Sequence, residues 1–503
     1  MNQTFRFLAT GAAAAILTAQ PAVAQETVDL ATIARIRAEG MDSTKSRALA
    51  TLNQLTNISG PRLTGSPMHK QAADWARGQL ESWGLTNAHL EAFPFGAGWT
   101  LDHLTLEMTK PRYFPAYGYP QAWSPSTKGV LTKTFYLGDK TQAEIEALGE
   151  QLRGAVILPQ RPQLQFFRAD RVQPADVDSA RIGAPSGGRG AGSATQANAM
   201  NQILQRFGAG AILQPSTGEH GTAFVLGGSR NPGPDAIPRI VLVTEHYNMI
   251  VRLIQSGAPV EMRVESRVTF NRADTNSYNV IAEIPGVDPV LRNEVVLIGA
   301  HLDSWHSSTG ATDNADAATS TLEAMRILKA VGVRPRRTIR MALWSGEEQG
   351  LLGARAFATK YYAGDANAAA REQISVYLND DPGLGKTFGW YMENNAAAKA
   401  IFDAWLEPLK DLGIKRNVIA GIGSTDHLEF TRLGIPGFTT VKDYTTYDYR
   451  SRHSNTDFFE RVSEADLKQS AVVLAVFAYN AAMRNEKIPR APGGRGRGGV
   501  APQ

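Results

Sequence analysis

A chain of 503 residues with 43 % hydrophobic and 20 % charged side chains has the composition of a globular protein and length enough for more than one folded unit. The formal net charge of +4 is supplied by Arg6, Arg490, Arg495 and Arg497 near the two ends, so residues 25–487 balance to zero and the basic pI does not argue for a nucleic-acid partner. With no cysteine there is neither a disulfide framework nor thiolate ligation, and any metal site must be built from histidine and carboxylates.

Residues 1–24 place Arg6 ahead of a short apolar run and end on Ala22-Val23-Ala24. This reads as a secretory signal peptide with an A-x-A cleavage site, too short to span a membrane. The expectation is an exported protein, periplasmic or extracellular, with no membrane span. Residues 45–85 read as helices: Thr51, Leu55 and Ile58 share one face, and Ala72, Ala73, Ala76, Leu80 and Trp83 recur at helical spacing. Ser59-Gly60-Pro61-Arg62 breaks the pattern between them.

Short β-like runs follow at 154–158, 208–213 and 239–243, with a loose Gly/Ser/Arg-rich stretch at 185–192. Residues 121–270 therefore read as a small mixed β/α domain inserted into a larger one, whose two parts are 25–120 and 271–487. From about 277 strands and helices alternate. Strands are expected at 295–300, 338–344, 374–379 and 435–441, and helices at 317–331, 350–362, 396–412 and 465–483. That order predicts an α/β fold with a mostly parallel central sheet flanked by helices. Residues 488–503 are rich in Gly, Pro and Arg and are expected to be disordered.

Polar clusters sit where these strands end. His301 and Asp303 follow 295–300, Glu347 and Glu348 follow 338–344, Asp381 follows 374–379, and His453 closes a long loop after 435–441. Ligands of open α/β sheets bind at the carboxyl ends of strands. Asp313, just ahead of helix 317–331, suits a helix cap when taken alone. Taken together, two histidines and three carboxylates at one sheet edge suit a zinc-like ion.

In this order the motifs His301-x-Asp303, Gly310-Ala311-x-Asp313-Asn314, Glu347-Glu348, Leu378-Asn379-x-Asp381 and His453-x-x-x-Asp457 resemble those of the co-catalytic zinc exopeptidases. That family includes carboxypeptidase Q and bacterial leucyl aminopeptidase. Residues 59–66 and 95–99 resemble the carboxypeptidase Q branch, and the insertion resembles a protease-associated domain. The resemblance implies two Zn²⁺ per chain, one on His301, Asp313 and Asp381, the other on Asp313, Glu348 and His453, with Asp313 shared.

It further implies peptide hydrolysis by a water shared between the metals, with Glu347 as general base. Asp303 and Asp457 are expected to orient His301 and His453, and Tyr447 or Tyr449 to hydrogen-bond the oxyanion. His427 is not expected to be a ligand, and His306 has no assigned role. The substrate expected is a peptide or dipeptide, with aminopeptidase action first and dipeptidase or carboxypeptidase action the alternative. A non-catalytic receptor on the same scaffold is a third reading, disfavoured because every ligand position is filled. Nothing in the sequence sets an oligomeric state.

Overall fold

The computed structural model describes residues 26–166, 169–171, 173 and 191–491. The signal-peptide reading of 1–24 lies outside them, as does most of the loose stretch at 185–192. Of the segment from 488 onward, Ile488 is buried and Arg490 donates to the Arg371 carbonyl oxygen at 3.1 Å.

A seven-stranded mixed sheet carries the molecule. Its strands run in the spatial order Thr86–Pro94, Asn276–Ile284, Thr338–Trp344, Val295–His301, Ile374–Asn379, Gly437–Asp443, Leu384–Tyr391. The middle four are parallel to one another, and antiparallel strands pair at both margins. Val295–His301 and Ile374–Asn379 are mostly apolar and buried along their whole length because both faces of the sheet are covered. Val296, Ile298 and Ala300 face one core with the helices Asp316–Val331 and Glu464–Met483. Val295 and Leu297 face a second core with Phe357 and Ala358 of the helix Leu352–Tyr362. Four parallel strands deliver four carboxyl ends to one edge, and the polar clusters sit there.

The helix Pro67–Ser82 begins where sequence chemistry places it. Ser66 accepts from the His69 amide and Pro67 occupies the first turn. Among the described residues no helix is long and apolar enough to cross a membrane.

Two smaller sheets complete the fold. Gly98–Lys110 pairs antiparallel with Glu261–Asn271 and with Phe114–Pro115. A five-stranded sheet has the order Gly118–Pro120, Arg239–Leu242, Ala211–Pro215, Val156–Leu158, Thr134–Tyr136. An aromatic cluster that includes Phe93, Phe95, Trp99, Trp123 and Trp305 fills the space between these parts.

Candidate metal centre

His301 ends its strand and is buried. Its Nδ1–H donates to the Asp303 carbonyl oxygen at 3.0 Å, which leaves the Nε2 lone pair free to ligate. Nε2 lies 3.5 Å from Asp313 Oδ1 and 3.5 Å from Asp381 Oδ1. His453 Nε2 lies 3.4 Å from the other Asp313 oxygen, Oδ2, and 2.8 Å from Glu348 Oε2. Two candidate clusters result, His301/Asp313/Asp381 and Asp313/Glu348/His453, each with its ligand atoms within 4.8 Å of one another. Asp313 belongs to both.

The local structure explains how these side chains are aimed. Asp313 lies in the tight turn Ala311–Ala315, entered through Gly310 at φ +59°. A Cβ at Gly310 would stand 2.3 Å from Ser304 Cβ, so only glycine fits there. The Asp457 carboxylate accepts from the amides of Thr312 (2.8 Å) and Asp313 (3.0 Å). Glu347 and Glu348 are fixed through their main chain: both amides donate to the Asp303 carboxylate, at 3.3 and 3.4 Å. The Thr64 hydroxyl donates to Asp303 Oδ2 at 2.9 Å and accepts from the Gly346 amide at 3.1 Å. Glu347 Oε2 comes within 4.0 Å of His301 Nε2 but joins neither cluster. His453 has φ +60°, a left-handed conformation that costs a non-glycine residue about 1–3 kcal/mol unless its surroundings hold it.

The donor set suits a pair of divalent cations. Asp313 Oδ2 and Glu348 Oε1 are buried without a hydrogen-bond partner. Burial, together with Asp381, Glu348 and Asp426, drives the Glu347 carboxyl well above its ordinary range. Burial and Asp313 raise Glu348 likewise. Burial alone would raise Asp313 as well, but the neighbouring His301 and His453 outweigh it and pull it down. Cationic charge is the missing complement, and histidine with carboxylate is zinc-compatible chemistry.

Three expectations take a different form. Asp303 meets His301 through its carbonyl; its carboxylate, 3.6 Å from Nδ1, accepts from the Thr64 hydroxyl and from the Glu347 and Glu348 amides. The Asp457 carboxylate holds the Asp313 turn, accepting from the amides of Thr312 and Asp313. Tyr449 donates its hydroxyl to Glu219, away from both clusters, whereas Tyr447 is buried close enough for Asp313 and Asp381 to act on its hydroxyl. His427 lies 3.0 Å from Glu393 and in neither cluster. Asp380, the neighbour of Asp381, accepts from the Thr440 hydroxyl at 2.7 Å and pairs with buried Lys442 at 3.2 Å.

Sequence reasoning passed over Arg62 and Thr64. The Arg62 guanidinium is buried and donates to the carbonyls of Leu55, Leu302, Thr309 and Gly310, at 2.7–2.9 Å. The only signal was the Ser-Gly-Pro-Arg-Leu-Thr-Gly-Ser stretch at 59–66, whose reach to residues 302–310 is a tertiary fact.

Residues 279–478 match the model of peptidase family M28. Carboxypeptidase Q of Mus musculus is 27 % identical over 450 residues, which span 89 % of this chain and 88 % of that protein. Among solved structures, a peptidase M28 precursor from Shewanella amazonensis superposes with a TM-score of 0.68 at 23 % identity, covering 92 % of this chain and 98 % of that one. BSAP, a zinc aminopeptidase from Bacillus subtilis, superposes with a TM-score of 0.57 at 17 % identity, covering 88 % and 97 %. Both structures share the fold.

Proposed function

We propose that this chain, a metallopeptidase of the M28 kind, is a two-cation exopeptidase acting on the free amino end of peptides. One observation carries the reading: His301 and His453 approach opposite oxygens of the single Asp313 carboxylate, at 3.5 and 3.4 Å. His301, Asp313 and Asp381 would hold one cation, and Asp313, Glu348 and His453 the other; zinc fits these ligands. When bound, such a pair supplies Lewis-acid polarisation of the scissile carbonyl and a water acidified toward neutrality.

The chain's own residues do the rest. Glu347, beside the ligands but not among them, takes the water proton at its carboxylate and returns it to the leaving amine nitrogen. The Asp303–Thr64 clip fixes the Glu347 main chain, so its carboxylate is positioned before substrate arrives. Asp426, both of whose oxygens are buried without hydrogen bonds, adds an acid close enough to act on His301 and Asp381. Acids beyond those the cations need are the complement of a substrate ammonium group, which favours aminopeptidase action. The length shared with carboxypeptidase Q favours a second reading, carboxypeptidase or dipeptidase action. The signal-like residues 1–24 support placing the activity in the periplasm or outside the cell.

The purified protein should cleave aminoacyl-amides and dipeptides, lose activity to a chelator and regain it with zinc. Preference for aminoacyl-amides marks the first reading and preference for dipeptides the second. Cleavage of N-blocked peptides at internal bonds, or activity indifferent to chelation, would remove the exopeptidase proposal.

A further inference from the structure

The two halves of the centre are supported differently. His301 ends a strand of the large sheet, Asp381 follows another by two residues, and Asp313 lies in the turn that opens the helix Asp316–Val331, which packs on that sheet. His453 comes ten residues after the end of Gly437–Asp443, on a loop with two left-handed residues, Thr446 at φ +64° and His453 at φ +60°. Such a loop needs grip from outside.

The grip comes from Asp170, Arg171 and Gln173, which follow the strand Val156–Leu158 in the chain, and from residues 219–225, between the strands Ala211–Pro215 and Arg239–Leu242. Arg171 donates from Nε to Asp448 Oδ2 and from Nη2 to Asp448 Oδ1, both at 2.6 Å, and its amide donates to Oδ2 at 3.2 Å. Both side chains are buried, at 7 % and 3 % exposure. The guanidinium lies 4.5 Å from the Tyr444 ring centre and 5.9 Å from that of Tyr447. Next to it the Asp170 carboxylate accepts from the amides of Thr446 (2.6 Å) and Tyr449 (3.0 Å), bracketing the same turn. Gln173 donates to the Lys442 carbonyl at 3.0 Å. From the other side the Val225 amide donates to the His453 carbonyl, and the Asn455 amide to the Ala223 carbonyl, each at 3.0 Å. Arg452, the other cation near Asp448, stands 3.9 Å away and does not duplicate the fork.

We propose that Arg171 is a positioning residue for the metal centre: by its two-pronged hold on Asp448 it keeps the loop that aims His453 at Asp313 and Glu348. It thereby sets the affinity of the Asp313–Glu348–His453 position and leaves the His301–Asp313–Asp381 position alone. The inference rests on the two-cation reading above.

The test titrates chelator-stripped full chain with Zn²⁺ by calorimetry. Wild type should take two equivalents. Arg171→Gln should keep one within about twofold and weaken the other by about 10–100-fold, the range for groups that orient a ligand. Asp448→Asn should do the same, and the double variant should add no further loss, since both changes break one interaction. Arg171→Lys should recover only part of the affinity, because an ammonium lacks the planar fork. Unchanged binding of both cations, or equal weakening of both, overturns the proposal. If wild type itself takes fewer than two, the two-cation reading falls, and the hold is decided by hydrogen exchange in the metal-free protein. Amides of Thr446, Tyr449 and Val225 exchanging about tenfold or more faster in Arg171→Gln would uphold it, and unchanged rates would end it.

Discussion

Glu347 and Glu348 are consecutive, yet their carboxyls face different partners. Glu348 Oε2 stands 2.8 Å from His453, while Glu347 Oε2 lies 4.0 Å from His301. Glu347→Gln keeps shape and removes the proposed proton acceptor. Its cation content should stay at the wild-type level while kcat falls about 10²–10⁴-fold. Asp313→Ala removes the carboxylate shared by both clusters and should lose both cations. Metal analysis beside steady-state kinetics separates the two, and full turnover in Glu347→Gln would strip it of the base role. At this scale the five clustered side chains were legible, because each follows a strand or opens a helix in a motif of fixed order. The work of Asp303 and Asp457 was not. Their hydrogen-bond partners include Thr64, 239 positions away, and Thr312, 145 positions away, and no local pattern announces such pairs.

The element that carries the glutamates is the turn from Thr338–Trp344 into the helix Leu352–Tyr362. Asn279, on the adjoining strand, ties its two ends together: it accepts from the Ser345 amide at 3.1 Å and donates to the Gly353 carbonyl at 3.0 Å. A Cβ on Gly353 would lie 2.2 Å from Asn279 Oδ1 and 2.5 Å from the Ser345 carbonyl oxygen, and a main-chain oxygen cannot rotate aside. Gly353→Ala should therefore cost at least ~2 kcal/mol, read as a lowered denaturant midpoint, with weaker cation binding because Glu348 moves with the turn. The strands at 338–344 and 374–379 were legible as short, mostly apolar runs between helical segments. Leu384–Tyr391 was not: two glycines, a lysine and a threonine hide it after the Asp-Pro-Gly turn, and as an edge strand it needs less apolar surface. Helix 396–412 gives way to a 3₁₀ segment, Glu407–Leu412, around Pro408, which cannot donate the interior hydrogen bond.

Across the molecule, His306 joins the metal-centre loop to the five-stranded sheet. Its Nε2–H donates to the Pro120 carbonyl oxygen at 2.7 Å, and its ring packs edge-on against Trp99 at 5.0 Å. Burial pushes its pKa down to about 4 from the ordinary 6.5. Burial likewise takes His69 to about 4. Below about pH 6.5 the unfolded chain binds protons that the folded chain refuses until about pH 4. Stability is thus fully present above pH 6.5 and falls as pH drops toward 4, by on the order of 3 kcal/mol for His306 alone. His306→Gln should flatten the slope of unfolding free energy between pH 4 and 6.5 by about that amount; an unchanged slope would mean that His306 titrates alike in both states.

The ribbon of Gly98–Lys110 and Glu261–Asn271 sets Gly98 opposite Asn271. The chain thus departs toward the five-stranded sheet and comes home at neighbouring points. Backbone geometry would let an engineer excise the whole detour and close the cut with a tight turn. The trimmed chain would lose the packing of Trp305 and His306 against Trp123 and Trp99 and, without the acid and guanidinium at 170 and 171, the hold proposed for the His453 loop. Any replacement module grafted onto that stem must bring its own tether to Asp448.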